Sequence, residues 1–88
     1  MNLLKFSASW CGPCKSLSAI MDDMSFPLQV GCVHTIDVDA DSELAAQHMI
    51  RGVPTVIAVS DNGVELGRFT GSRSESEIIK WINQLPQQ

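Results

Sequence analysis

Basic residues are scarce in this sequence, which has six lysines and arginines against ten aspartates and glutamates and a formal net charge of -4. This balance argues against nucleic acid or an anionic membrane surface as the main partner. No segment is long and apolar enough to predict a membrane span, and no opening cluster of lysine or arginine precedes an apolar run. We therefore expect no signal peptide, and we predict a cytoplasmic protein.

Cysteines are few as well. There are three, an odd number whose spacing does not suit a framework of structural disulfides. Zinc normally takes four ligands, but there is no second C-x-x-C and no closely spaced histidine pair, because Cys32, His34 and His48 are scattered. We predict no metal site and favour catalytic use of one cysteine pair in a reducing compartment.

The remaining composition is typical of one small domain. The chain has 88 residues, of which 44% are hydrophobic and 18% are charged, as in a soluble globular protein. No repeat, linker or low-complexity tract interrupts the pattern. We therefore predict a single domain over residues 1–88.

Two cysteines two residues apart mark the most informative stretch, which at residues 10–15 reads WCGPCK. Pro13 has a fixed φ and lacks the N–H that a first helical position leaves unpaired, so we predict that a helix begins there. Cys11 then lies at the positive end of that helix, where a thiolate is favoured, and is the predicted attacking sulfur. Cys14, one turn inside and less accessible, is predicted to resolve the mixed disulfide.

Hydrophobic periodicity and turn signals divide the chain into seven elements in the order βαβαββα. The predicted strands cover residues 3–8, 30–38, 55–60 and 64–70, and the predicted helices cover residues 13–24, about 41–49 and about 75–85. The second helix is expected to be capped by Asp39 or Asp41 and to bury Met49. The first two strands flank a helix and should be parallel, whereas the Asp-Asn-Gly at residues 61–63 predicts an antiparallel hairpin. Ser74 and Glu77 have the spacing of a capping box.

The motif resembles the active-site signature of the thioredoxin family. The segment RGVPT at residues 51–55 resembles the second hallmark of that family, a loop whose cis proline packs against the active-site disulfide. The resemblance covers nearly the whole chain and implies a minimal thioredoxin-like α/β fold, with a four-stranded mixed sheet flanked by three helices. Full-length thioredoxins have a further strand and helix before the active-site strand. Because these are missing here, the second strand is expected at a sheet edge, and in size the chain is similar to the glutaredoxins.

The resemblance implies a thiol-disulfide oxidoreductase that reduces protein disulfides through Cys11 and Cys14. No bound cofactor is expected, because an external reductant, either a thioredoxin reductase with NADPH or glutathione, restores the dithiol. The implied partners are proteins with disulfides, ribonucleotide reductase among them, and the protein is expected to be a monomer. The implied substrate-binding residues are Trp10, Gly12, Pro13, Val53, Pro54 and Gly71.

Two lysines are candidates for tuning the pKa values of the cysteines. Lys5 stands where thioredoxins usually have a buried aspartate, six residues before the first cysteine. An ammonium there would favour a thiolate, with Asp37 as its counter-charge. Alternatively, the Lys5 side chain extends to solvent and has little effect. Lys15 either adds positive potential near the motif or is a solvated helix residue.

Three other functions are consistent with the same residues. The first is a glutathione-dependent, glutaredoxin-like oxidoreductase, which the short front end favours and the Gly-Pro dipeptide disfavours. The second is a redox-independent binding module that uses the same face, and the third is a metal or iron–sulfur scaffold joining two chains through Cys11 and Cys14. Cys32 is predicted to be a small apolar strand residue, with an intermolecular disulfide as a secondary hypothesis.

Overall fold

Seven elements in the predicted order form the fold. The computed structural model describes residues 1–86, so residues 87 and 88 of the predicted domain lie outside the described residues. The strands are β1 (Asn2–Ser7), β2 (Val33–Asp37), β3 (Thr55–Val59) and β4 (Glu65–Thr70), and the helices are α1 (Gly12–Asp23), α2 (Ser42–Gln47) and α3 (Glu75–Gln84). None of the helices among residues 1–86 has the length and apolar character needed to cross a bilayer.

The four strands form one mixed sheet in the order β2-β1-β3-β4. The pair β1–β2 is parallel, whereas β1–β3 and β3–β4 are antiparallel. The parallel pair β1–β2, the antiparallel hairpin β3–β4, the four-stranded sheet and the edge position of β2 confirm the predicted architecture. The antiparallel pairing of β1 with β3 was not predicted. Because β1 and β3 are the inner strands, the segment that enters the cysteine motif comes from the middle of the sheet.

Helices cover both faces of the sheet. Alternate residues of β1 point to opposite faces, so their contacts show which helix lies on which face. Leu3 belongs to a buried cluster with Leu17 of α1 and Ile78 of α3. Phe6 belongs to a second cluster, with Ala45 of α2 and Ile57 of β3. The fold thus has α1 and α3 on one face and α2 on the other.

Strand β2 begins at Val33, three residues later than predicted. The residues before it are bonded to the start of the chain, because Gly31 N–H donates to the Met1 carbonyl at 2.7 Å and Cys32 N–H donates to Asn2 Oδ1 at 3.0 Å. Backbone bonds continue here, since Leu3 N–H donates to the Cys32 carbonyl at 2.9 Å, and the Asn2 side chain joins them before the regular strand begins.

Helix α2 is shorter than predicted. Asp41 occupies its N-cap position, but its side chain makes no capping hydrogen bond. Beyond the helix, Met49 has a left-handed φ of 54° and is 70% exposed, so the expectation that Met49 is buried was wrong. The left-handed conformation of Met49 turns the chain out of the helix and directs the Met49 side chain away from the core. The next residue then bonds back to the helix, with the Ile50 N–H donating to the Ala45 carbonyl at 3.0 Å.

Two predictions from local sequence signals are confirmed, a turn and a helix cap. Gly63 has a φ of 82° in the turn between β3 and β4, and its N–H donates to the Ser60 carbonyl at 2.9 Å. The capping box of α3 is complete, with Glu77 N–H donating to Ser74 Oγ at 3.3 Å and Ser74 N–H donating to Glu77 Oε1 at 3.1 Å. The Ser74 N–H and the Ser74 hydroxyl, which also donates to Glu77 Oε1 at 2.9 Å, lower the pKa of Glu77.

Candidate active site

The cysteine pair lies where β1 leads into α1. Helix α1 begins at Gly12, one residue before the predicted start, so Cys11 is its N-cap and Pro13 lies within its first two positions. The Cys11 sulfur accepts the backbone N–H of Cys14 at 3.1 Å. An N–H donor and the positive end of a twelve-residue helix both stabilise negative charge on the Cys11 sulfur.

Cys11 and Cys14 are joined as a disulfide, with their Cα atoms 5.3 Å apart. The two residues are almost equally covered, at 5% and 3% exposure, so the predicted difference in accessibility is small. They form a small cluster with Ala8, against which Val53 packs. The rim above them is open, because Gly12 and Pro13 are exposed.

The loop before β3 packs against this disulfide. The Val53–Pro54 peptide bond is cis, as predicted, and the Val53 carbonyl oxygen lies 3.8 Å from the Cys11 sulfur. Gly71 has a φ of 82°, and its N–H donates to the Pro54 carbonyl at 2.9 Å. The fold therefore brings the end of β4, the proline loop and the cysteine motif together.

Trp10 covers part of the site and is 70% exposed. Its Nε1–H donates to Asp39 Oδ2 at 2.8 Å, a bond across 29 positions of the chain that sequence reasoning missed. Asp39 was predicted only as a possible cap of the second helix, and no local signal distinguishes it from its acidic neighbours. Next to the indole lies a largely apolar cavity of about 200 Å³, here called the Trp10 cavity, lined by Trp10, Val38, Ala45, Ile50, Arg51, Gly52 and Val53.

Lys5 is buried in the middle of β1, at 3% exposure. Its Nζ donates to Ser18 Oγ at 3.0 Å, and Ser18 lies one turn after Cys14 on α1. The hypothesis that its side chain reaches solvent was therefore wrong. The ion pairs among residues 1–86 do not join Lys5 to Asp37, so the role of Asp37 as its counter-charge stays a prediction. Asp37 instead accepts the backbone N–H of Asp39 through Oδ1, at 2.8 Å.

A second cavity, of about 290 Å³, is bounded by Cys14 and is here called the Cys14 cavity. Its walls consist of Ser7, Ala8, Ser9, Cys14, Lys15, Ser18, Thr35 and Asp37, and most of the surface that they expose to the cavity is apolar. It shares no lining residue with the Trp10 cavity. Cys14 therefore borders this cavity, whereas neither cysteine lines the Trp10 cavity.

The other candidate residues lie apart from this site. Cys32 is a free thiol that precedes β2 and is exposed, so its interpretation as an apolar strand residue was wrong. His34 is exposed on β2, whereas the His48 ring contacts Phe6 with the ring centroids 5.5 Å apart. Within residues 1–86, no three side chains of histidine, cysteine, aspartate or glutamate form a group that could hold a metal ion.

A disulfide-bonded cysteine pair at the start of a helix, faced by a cis-proline loop on a four-stranded mixed sheet, defines the thioredoxin-fold class of thiol-disulfide oxidoreductases. Comparison with known proteins agrees. The Thioredoxin family model matches residues 1–84. The chain is 32% identical to thioredoxin of Chlamydia trachomatis serovar D over 82 residues, covering 93% of this chain and 79% of that protein. It is 33% identical to thioredoxin of Rickettsia conorii over 84 residues, covering 93% of this chain and 78% of that protein.

Solved structures show the same relationship. Thioredoxin 1 of Thermosipho africanus TCF52B superposes with a TM-score of 0.79 and 27% identity, covering 96% of this chain and 92% of that one. Thioredoxin of Malassezia sympodialis superposes with a TM-score of 0.76 and 30% identity, covering 94% of this chain and 72% of that one. The chain belongs to the thioredoxin family, and it is a thiol-disulfide oxidoreductase.

Proposed function

We propose that the protein reduces disulfides of other proteins, with Cys11 as the attacking sulfur and Cys14 as the resolving sulfur. The observation that carries this assignment is the N-cap position of Cys11, whose sulfur accepts the Cys14 N–H at 3.1 Å. That contact stabilises a thiolate on Cys11, and the thiolate is the nucleophile in disulfide exchange.

The cycle begins with the dithiol. The Cys11 thiolate bonds to one sulfur of the substrate, the substrate disulfide breaks, and the departing sulfur takes up a proton. Cys14 then loses its proton and attacks the Cys11 sulfur, which expels the second substrate sulfur as a thiolate. Two electrons pass to the substrate, and the Cys11–Cys14 disulfide remains.

We further propose that substrates dock over the rim formed by Trp10, Gly12, Pro13, Val53, Pro54 and Gly71. Trp10 is held by Asp39, and the Trp10 cavity beside it offers apolar walls from Val38, Ala45 and Ile50. An apolar side chain next to the substrate disulfide fits this cavity, because burying it removes apolar surface from water. Arg51 at the edge is exposed and adds positive charge.

Lys5 is proposed to stabilise the Cys14 thiolate as Cys14 reacts. Its ammonium is buried, and Ser18 holds it one turn from Cys14. A cation near a sulfur favours the thiolate. Lys15 adds a weaker effect, because its exposed charge is screened by solvent.

The reductant proposed to restore the dithiol after each cycle is a thioredoxin reductase that draws on NADPH. We also propose that the chain acts as one cytoplasmic, monomeric domain. Insulin reduction coupled to NADPH consumption tests this directly. Cys11→Ser should abolish turnover, whereas Cys14→Ser should stop after one step and accumulate a mixed disulfide on Cys11. If Cys14→Ser forms no mixed disulfide, the assigned roles are wrong. If the double Cys11→Ser, Cys14→Ser protein keeps its cellular activity, the chain acts as a binding module instead.

A further inference from the structure

Positive side chains gather around the rim proposed to dock substrates, although the chain as a whole is acidic. None of the ten acidic residues stands within two positions of a rim residue, whereas three of the six basic residues do: Lys15, Arg51 and Arg73. The fold also brings the Asp39 carboxylate to the rim, where it accepts the indole N–H of Trp10. Arg51 lines the Trp10 cavity at the same end and opposes that charge. Arg73 follows the other end of the rim.

The two ends of the rim lie over opposite faces of the sheet. The Trp10 cavity is lined by Ala45, whose cluster belongs to the α2 face. At the other end, the Gly71 N–H donates to the Pro54 carbonyl at 2.9 Å. Arg73 is two residues further on, so its Cα lies within about 7 Å of that of Gly71. Its guanidinium carbon lies 4.7 Å from the centre of the Phe69 ring, which packs in the cluster of α1 and α3. A substrate segment that crosses the rim from the cavity to Gly71 therefore approaches Arg73.

The Arg73 guanidinium is restrained but not paired with a carboxylate. The ion pairs in the part of the chain that the structure describes do not include it. The neighbouring acid is Glu77, whose Oε1 accepts the N–H of Ser74 at 3.1 Å and its hydroxyl at 2.9 Å in the cap of α3. A guanidinium over an aromatic ring keeps N–H donors around its edge for a carboxylate.

We propose that Arg73 selects protein disulfides whose reacting cysteine is accompanied by an aspartate or a glutamate, and that it pairs with this carboxylate at the Gly71 end of the rim. The inference rests on the proposed reduction of protein disulfides. It adds a substrate class and the residue that recognises it. An arginine suits this task, because its planar guanidinium binds a carboxylate through two parallel hydrogen bonds.

The preferred end follows from the charges already at the rim. A substrate carboxylate at the Trp10 end would meet Asp39 as well as Arg51, so attraction and repulsion there largely cancel. At the Gly71 end it would meet Arg73, while Glu77 is bound to the helix cap. Specificity thus combines an apolar side chain in the Trp10 cavity with an acidic side chain near Arg73.

Peptides with one cysteine, joined to thionitrobenzoate by a disulfide, test this selection. The Cys11 thiolate bonds to the peptide sulfur, the disulfide of the probe breaks, and coloured thionitrobenzoate leaves as a thiolate. Cys14 then loses its proton and expels the peptide thiolate, so two electrons pass to the probe. Three peptides carry a phenylalanine and have aspartate, asparagine or lysine on both sides of the cysteine, which makes the result independent of chain direction.

The second-order rate constant of colour release measures recognition. At low ionic strength, the aspartate peptide should react about two- to fivefold faster than the asparagine peptide, and the lysine peptide should be the slowest. The rates should converge at high salt, which screens exposed charges. Arg73→Gln should bring the aspartate-to-asparagine ratio close to one, and Arg73→Glu should make the lysine peptide the fastest. A ratio that is unchanged in Arg73→Gln would overturn the proposal.

Two further variants separate recognition from net charge and from packing. Lys80→Gln is the matched control, because it removes an exposed positive charge from α3, nine positions beyond Gly71. Its ratio should equal that of the parent, and an equal loss in Lys80→Gln and Arg73→Gln would contradict the proposal. Arg73→Lys keeps the charge and should retain a preference for aspartate. If Arg73→Lys and Arg73→Gln lose the preference equally, Arg73 acts by covering Phe69 and the proposal is wrong.

The proposed function has a separate outcome in the same assay. Colour release from the three peptides at one common rate would overturn this inference alone. If the reduced parent releases no colour from any peptide, the proposed function itself fails. Circular dichroism establishes that each variant is folded.

Discussion

Replacing Lys5 by methionine removes the buried ammonium beside Cys14 while keeping most of the volume of the side chain. Lys5 Nζ lies 3.0 Å from Ser18 Oγ, and side chains one helical turn apart, such as those of Ser18 and Cys14, are about 5–6 Å apart. These spacings place Lys5 Nζ roughly 6 to 9 Å from Cys14, and two unit charges at that separation interact by about 2 to 3 kcal/mol at an effective dielectric constant near 20. Because the neighbouring cavity admits solvent, we expect about 1 to 3 kcal/mol, or roughly 20 to 60 mV in reduction potential.

The sign follows from the state that carries the charge. A thiolate exists only in the reduced protein, so loss of the ammonium destabilises the reduced form and should make the reduction potential more negative. It should also raise the pKa of the Cys14 thiol. The difference between variant and parent should grow as the pH rises and Cys14 ionises.

Redox equilibration with a dithiol buffer at several pH values, combined with thiol titration, measures this effect. Lys15→Met is the matched control, because its charge is exposed and should contribute much less. A potential that is unchanged at every pH, or a change of equal size in the control, would remove Lys5 from the mechanism. Circular dichroism establishes that the variant is folded.

Three further predictions concern contacts elsewhere in the fold. Asp39→Ala removes the hydrogen bond that holds the Trp10 indole. It should raise KM for insulin by about two- to fivefold with little change in kcat, and an unchanged KM would contradict a docking role for the indole. Gly67→Ala should destabilise the protein by about 1–3 kcal/mol in urea unfolding, because the added Cβ would lie 2.6 Å from Leu85 Cδ2; unaltered stability would show that the leucine moves aside freely. Arg68 donates a hydrogen bond of 2.7 Å to Glu65 and lowers the pKa of that carboxyl in the folded protein. The pair therefore contributes stability at pH values above the pKa of Glu65 in the unfolded chain. This stability is lost as the pH falls through the lower pKa of Glu65 in the folded protein. Glu65→Gln should therefore cost about 0.2–1 kcal/mol at pH 7 and nothing near pH 2, and an equal cost at both pH values would argue against the ion pair.

The parts of the fold that could be predicted depend on local signals. The capping box at Ser74, the turn at Gly63 and the helix that starts beside Pro13 each arise from a few adjacent residues. The parallel first pair and the antiparallel hairpin followed from local signals, and the edge position of β2 followed from the family resemblance. These features place Cys11 at the helix start before any tertiary contact is known.

The remaining parts depend on contacts between distant segments. Trp10 and Asp39 are 29 positions apart, and Lys5 and Ser18 meet only because β1 packs under α1. No periodicity distinguishes Asp39 from Asp37, since both stand in one acidic run. The early end of α2 depends on the left-handed residue Met49, which is not a glycine and gives no sequence signal.

The inner position of β1 affects how the molecule opens. Strand β1 is bonded on both sides, by β2 and β3, whereas β2 has one neighbour within the described sheet. Amide hydrogens of β2 should therefore exchange with solvent through local fraying, while those at the centre of β1 should exchange only when the whole domain unfolds. Since β1 leads directly into the cysteine motif, the residues that carry electrons are attached to one of the last segments to come apart.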